Sequence, residues 1–156
     1  LNTHRNYMKS RKMQFYGFDS FQGFPVEVHK EFKSENFKSD YRIVRKLEKK
    51  FDNCKVVKGF FEDSLNDENI KSSIQKISFA FIDCDIAPSS KKVFEFIKPR
   101  LSNGAYIMID DFYNLDKNGE NIHKIFREYF DINKDVFTHS YFGNEGVIFR
   151  FFKKDE

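Results

Sequence analysis

Apolar and polar residues alternate along this chain in short blocks, and many blocks end at a glycine, a proline or an aspartate. Met13–Phe18 is a short aromatic run that reads as a strand and stops at Asp19. Phe21-Gln22-Gly23-Phe24-Pro25 follows as a turn or loop. Val26–Lys38 reads as a loop or lid with some helix. Ser39 or Asp40 can cap a helix running to about Phe51, with Ile43, Val44, Leu47 and Phe51 on one face and the charges on the solvated face. Cys54–Lys58 is a strand stopped by Gly59, and Asp67–Ile74 a short helix. Ile77–Ile82 is apolar on both faces, the pattern of a buried strand in a parallel sheet. Pro88 or Ser89 starts a helix with apolar residues at 93, 94, 96 and 97, and Pro99 followed by Gly104 ends it. Ala105–Ile109 is the next strand. Asn118–Phe130 is a helix carrying Ile122, Ile125, Phe126, Tyr129 and Phe130 on one side. Val136–Phe142 and Val147–Phe152 flank Gly143-Asn144-Glu145-Gly146, which predicts a hairpin.

This order predicts an α/β fold: a Rossmann-like, doubly wound, mostly parallel sheet with a C-terminal antiparallel hairpin. The 156 residues fit a single domain spanning 1–156, long enough to bury a core without staples. Twenty-one phenylalanines and no tryptophan add that this core is aromatic-rich. The longest apolar runs, Ile77–Ile82 and Ala105–Ile109, are too short to span a bilayer, and Leu1–Arg11 lacks the apolar stretch of a signal peptide. A cytoplasmic protein without a membrane partner is expected. A net charge of +3 with no concentrated basic face argues against nucleic acid. Cys54 and Cys84 have no metal-type spacing and read as two reduced thiols.

Ligands of such sheets sit outside the carboxyl ends of the strands. Asp19, Asp83 with Asp85, and Asp110 with Asp111 each follow a predicted strand. Either later pair alone could be a helix cap or a turn. Together they are more informative. The two strands are consecutive and joined by one helix, so a right-handed crossover makes them neighbours with ends about 5 Å apart. Carboxylates at that distance repel and raise one another's pKa values unless a cation compensates. Hard oxygen ligands suit Mg²⁺, Mn²⁺ or Ca²⁺ better than Zn²⁺. Asp19 can accept hydrogen bonds from both hydroxyls of a ribose, but on spacing alone a simple turn aspartate is the stronger reading.

The stretch Asp19-Ser20-Phe21-Gln22-Gly23-Phe24-Pro25 resembles the Asp-Ser-Phe-x-Gly-x-Pro signature of the macrocin O-methyltransferase family, class I S-adenosylmethionine-dependent enzymes. Four further blocks resemble the family in order and spacing: Lys58–Leu65, Ile82–Asp85, Pro99–Tyr106 and Ile109–Tyr113. The resemblance implies an O-methyltransferase that uses S-adenosylmethionine and Mg²⁺ (or Mn²⁺) on a hydroxyl of a sugar or small natural product. It implies that Asp19, with Ser20 beside it, binds the cofactor ribose, and that Asp63 and Ser64 lie near the adenine. Asp83, Asp110 and Asp111 would hold the metal, and Asp85 would be the general base. The expected partner is a small-molecule or sugar acceptor; a homo-oligomer is left open. The pattern departs at Asp85-Ile86-Ala87-Pro88, where the family usually has an aromatic residue after the second aspartate.

A metal-dependent glycosyltransferase would account for Asp83-Cys84-Asp85 but not for the Asp19 signature or for Asp110-Asp111. A phosphatase is weaker, because position 87 is alanine and no downstream lysine motif is evident. A non-catalytic remnant or interaction module is the third alternative, and a cofactor titration separates it from the enzymes.

Class I methyltransferases begin with a strand and a glycine-rich loop that cradles the methionine end of the cofactor. Nothing before Met13 resembles either, and Leu1–Arg11 looks like the end of the helix that follows that loop. The missing strand belongs at the sheet's centre, between Met13–Phe18 and Ile77–Ile82, so either a longer chain supplies it or the two halves pair directly. The 156-residue chain is therefore expected to bind S-adenosylmethionine at least about a hundredfold more weakly than a chain extended upstream, since two charged hydrogen-bonded groups lack partners. Calorimetry on the two chains side by side checks this. Equal, tight binding would mean that another segment holds the methionine end.

Overall fold

The computed structural model describes residues 13–25, 33–116 and 118–153. Strands β1 (Phe15–Asp19) and β2 (Cys54–Lys58) pair in parallel, with Asp19 opposite Lys58. Strands β3 (Ile77–Ile82), β4 (Leu101–Ile109), β5 (Val136–Phe142) and β6 (Gly146–Phe151) form a second sheet in the order β3-β4-β6-β5. Within it β3 and β4 run parallel, Ile82 opposite Ile109, while β6 is antiparallel to both β4 and β5. The α/β fold with parallel portions and a terminal hairpin is as predicted. The two halves do not pair directly: among the described residues β1 pairs only with β2, and β3 only with β4.

The core lies on one face of the larger sheet. Leu101, Ala105, Ile107 and Ile109 of β4 are buried, while Tyr106 and Met108 between them are half-buried. That two-residue period directs the first set toward helices α4 (Ala87–Ile97) and α5 (Ile122–Tyr129). The predicted aromatic core forms there. The Phe126 ring stacks 4.6 Å from both Phe130 and Phe149, and Phe94 meets Phe126 edge-on at 5.4 Å. Arg100 closes the C-terminal end of α4, donating to Phe96 O at 2.7 Å and to Ile74 O at 3.0 Å, where a cation is favoured.

Several expectations need correction. Helix α1 covers only Tyr41–Glu48, and its apolar stripe is not buried: Ile43, Leu47 and Phe51 are 61%, 50% and 59% exposed. Its buried residue is Glu48, whose Oε1 accepts the Val56 N–H of β2 at 2.9 Å and whose Oε2 meets the Arg45 guanidinium. The Val56 N–H holds the Glu48 carboxyl below its ordinary range. Strand β3 is not buried on both faces, since Phe79 and Phe81 are 54% and 51% exposed. The described helices cover the opposite face. Gly104 does not end a helix but lies inside β4 with φ 77°, and α4 ends in a 3₁₀ turn at Lys98–Arg100.

The helix read from Asn118 starts at Ile122. Asp116 Oδ1 accepts the N–H groups of Asn118 (2.7 Å) and Glu120 (2.9 Å), which holds that stretch in a loop. Asn121 then caps the helix by accepting from Lys124 N–H at 2.9 Å. Two short helices, α2 (Phe61–Ser64) and α3 (Glu68–Ser73), complete the order; α2 was not predicted. Of the loop or lid at Val26–Lys38, Ser34–Phe37 is a 3₁₀ turn and residues 26–32 lie outside the described residues, as does Leu1–Arg11.

Phe94 is wholly buried and touches Phe126, Tyr129 and Phe130. Phe94→Ala is expected to destabilise the protein by about 3–5 kcal/mol, because the rigid rings around it cannot collapse into the space. A urea melt followed by circular dichroism measures this.

Candidate functional site

Parallel register sets the site. Asp83 follows Ile82, and Asp110 follows Ile109, its partner in the next strand. The Asp110 N–H donates to Ile82 O at 2.9 Å, which carries the ladder one residue beyond the strands. The chain then turns sharply on both sides: Asp85 and Asp111 hold φ values of 57° and 49°, in the left-handed region that aspartate tolerates better than most residues. These turns gather carboxylate oxygens of Asp83, Asp85 and Asp111 within 4.8 Å of one another. Asp110 stands outside that group, and its Oδ1 accepts the Asp111 N–H at 3.0 Å.

Crowding shows in the proton affinities. Burial raises the Asp83 carboxyl above its ordinary range, and the charges of Asp110 and Asp111 raise it further. Burial, then the charges of Asp111 and Asp83, push Asp85 up to about 6. Cys84 between them is enclosed; burial drives its thiol far up, and it carries no reactive thiolate.

A cleft of about 220 Å³ runs from Asp19 and Ser20 past Gly59–Glu62 to Asp83 and Asp85. Asp19 and Ser20 hold their own turn as well as lining the cleft. Asp19 Oδ1 accepts the Phe21 N–H at 2.5 Å, and Ser20 Oγ donates to Gly23 O at 2.8 Å. Gly23 is required here: a β-carbon on it would lie 2.0 Å from Ser34 O. Asp63 and Ser64 are not in the cleft wall, because α2 winds them past it, and Gly59–Glu62 line that side instead. Asp63 is exposed, whereas Ser64 is buried with a hydroxyl that has no hydrogen-bond partner.

Two polar residues at the rim escaped the sequence reading. Asn114 donates its side-chain amide to Asp111 Oδ1 at 2.8 Å; an asparagine three residues after an aspartate was the available signal. Glu145, at the hairpin tip, accepts the Phe112 N–H through its backbone oxygen at 3.1 Å, and its Oε2 is buried without a partner. Only the strand pairing brings it there.

Parallel strand pairs in an α/β fold, with a cleft across their carboxyl ends and carboxylates on the rim, define a Rossmann-like fold. Residues 3–150 match the family Macrocin-O-methyltransferase (TylF), and the chain belongs to that family. Among curated protein sequences none matches significantly. Among solved structures, the O-methyltransferase NovP is 20% identical with a TM-score of 0.71, over 95% of this chain and 64% of that one. CalS11, the calicheamicin methyltransferase, is 16% identical with a TM-score of 0.67, over 88% of this chain and 60% of that one. The mycinamycin-pathway methyltransferase MycE, solved with Mg, SAH and mycinamycin VI, is 12% identical with a TM-score of 0.57, over 99% and 48%. These are likenesses of fold, and the chain spans less than two thirds of the length of each. They do not favour the glycosyltransferase or phosphatase alternatives. No helix among the described residues is long and apolar enough to cross a membrane.

The raised Asp85 carboxyl makes a stability prediction. Its folded value of about 6 lies above its ordinary 3.8, so the folded state binds the proton more tightly and loses stability as pH rises between the two. Asp85→Asn removes that charge and suits the left-handed backbone. In metal-free protein it is expected to raise stability by about 1–2 kcal/mol at neutral pH, after allowance for partial solvent screening, and by little near pH 4. Thermal melts at the two pH values check both the sign and its loss on acidification.

Proposed function

We propose that the protein is an S-adenosylmethionine-dependent O-methyltransferase that acts on a hydroxyl of a sugar or small natural product and uses a divalent cation. The observation that carries this reading is the gathering of Asp83, Asp85 and Asp111 at one end of a cleft whose other end is Asp19.

The residues fit both groups in kind. Carboxylate oxygens within 4.8 Å of one another can share one Mg²⁺ or Mn²⁺, whose oxygen ligands at about 2.1 Å stand about 3–4 Å apart across the ion. The cleft suits the nucleoside part of the cofactor. Its volume of about 220 Å³ is below the range of about 300–1,000 Å³ for pockets that enclose a whole ligand, and among the described residues its lining carries no lysine, arginine or histidine.

Asp83 and Asp111 would hold the cation, with Asp110 beside them completing the set, and Asp19 and Ser20 would take the ribose. Gly59–Glu62, which line the cleft where Asp63 and Ser64 do not, would serve the adenine end. When bound, the cation supplies charge stabilisation for the developing alkoxide, and the cofactor supplies the methyl group. Asp85, within the group of converging oxygens, would accept the hydroxyl proton. The remainder of the rate comes from positioning of the oxygen in line with the methyl group.

A second assignment follows from the geometry: Asp85 belongs to the group of converging oxygens and Asp110 stands outside it, so Asp85 would replace Asp110 as third ligand. Titration calorimetry with Mn²⁺ decides. Asp111→Ala and Asp83→Ala are expected to abolish binding. Asp110→Ala is expected to do the same if Asp110 is the third ligand. Unchanged binding in Asp110→Ala with loss in Asp85→Ala would move Asp85 into the coordination sphere. Unchanged binding in Asp111→Ala would remove the metal assignment altogether.

A further inference from the structure

We infer that Asn114 is the positioning residue for the rim: it sets the direction of the Asp111 carboxylate and so determines how tightly the site takes a divalent cation. The inference rests on the reading of the rim as a cation site.

Asn114 closes on Asp111 twice. Its backbone N–H donates to Asp111 O at 3.3 Å, which completes a four-residue turn. Its side-chain amide donates to Asp111 Oδ1 at 2.8 Å. The first bond holds the turn that Asp111 enters in a left-handed conformation, with φ 49°. The second fixes the remaining freedom, rotation of the carboxylate about its own side-chain bonds. On the other side, Asp110 Oδ1 receives the Asp111 N–H at 3.0 Å. Asp111 is thus gripped at its backbone N–H, its backbone carbonyl and one side-chain oxygen, and these bonds hold its carboxylate in the group shared with Asp83 and Asp85.

The chemistry of the donor matters. Without a donor, three carboxylates in mutual repulsion relax by swinging apart. A lysine or arginine at this position would also hold Asp111, but its positive charge would occupy the place that belongs to the cation. A neutral amide orients the carboxylate and leaves the negative charge of the site undiminished. This is the ordinary arrangement around metal ligands, where removing a supporting hydrogen bond weakens metal binding by about 10–100-fold.

Asn114 is exposed, which places the effect at the lower end of that range. The test is Mn²⁺ affinity of the full chain, read from the electron paramagnetic resonance signal of free Mn²⁺, together with the melting temperature of the metal-free protein. Asn114→Ala is expected to raise the dissociation constant about tenfold, with the metal-free melting temperature unchanged. Asn114→Gln, which keeps the amide, should recover part of the affinity, and Asn114→Lys should bind more weakly than Asn114→Ala. Native affinity in Asn114→Ala overturns the inference. So does a loss matched by a falling melting temperature and not recovered by Asn114→Gln, because that describes a merely structural turn. If the unaltered chain takes up no Mn²⁺, the cation reading itself fails and this inference falls with it.

Discussion

The parallel pairing of β3 with β4 is the constraint on which the site depends. With Ile82 opposite Ile109, the residues that follow emerge at one rim, and the Asp110 N–H to Ile82 O bond locks the register at the point where the aspartates begin. Side chains alternate along a strand, so a slip of one residue would exchange the faces of β4 and send Ile107 and Ile109 outward. Burial of that apolar row makes such a slip costly. The register of the core is thus what brings the carboxylates together.

The gathering is unfavourable on its own. Asp85 is pushed up to about 6 from its ordinary 3.8, which after allowance for solvent screening corresponds to about 1–2 kcal/mol when the site holds no cation. One fully buried phenylalanine contributes about 1.5–3 kcal/mol. Phe94, Phe112, Phe126 and Phe130 are all fully buried in the same core. Phe112 directly follows Asp111 and packs on Phe126 and Phe149, so the residue after the acidic pair is anchored in the core. The aromatic core therefore holds the strained rim in place. The left-handed backbone at Asp85 and Asp111 is the local expression of the same compromise.

Elsewhere the structure leaves apolar surface open. Ile43, Leu47 and Phe51 on one side, and Phe79 and Phe81 on β3, are all at least half exposed. Periodicity reports which face of an element is apolar. It does not report whether another element covers that face. Glu48 shows the same limit: a glutamate in a charged stretch becomes the buried contact of its helix because a single backbone N–H of β2 meets it.

The sequence by itself determined the order of the strands and longer helices, the hairpin, the aromatic core and the placement of Asp19, Asp83, Asp85, Asp110 and Asp111 at strand ends. These follow from local rules: side-chain period, turn residues, and the tendency of α/β sheets to present their ligand groups at carboxyl ends. Helix ends were less legible where a side chain competes for backbone donors, as Asp116 does before α5. The tertiary structure decided what depends on direction and on partners distant in sequence. It put Asp85 into the group of oxygens and Asp110 beside it. It turned Asp63 and Ser64 past the cleft wall, and it left β1 and β3 unpaired with each other. It also brought Asn114 back onto Asp111 and Glu145 to the same rim. Spacing along a chain fixes which residues can approach one another; backbone dihedrals and strand register select which oxygens meet.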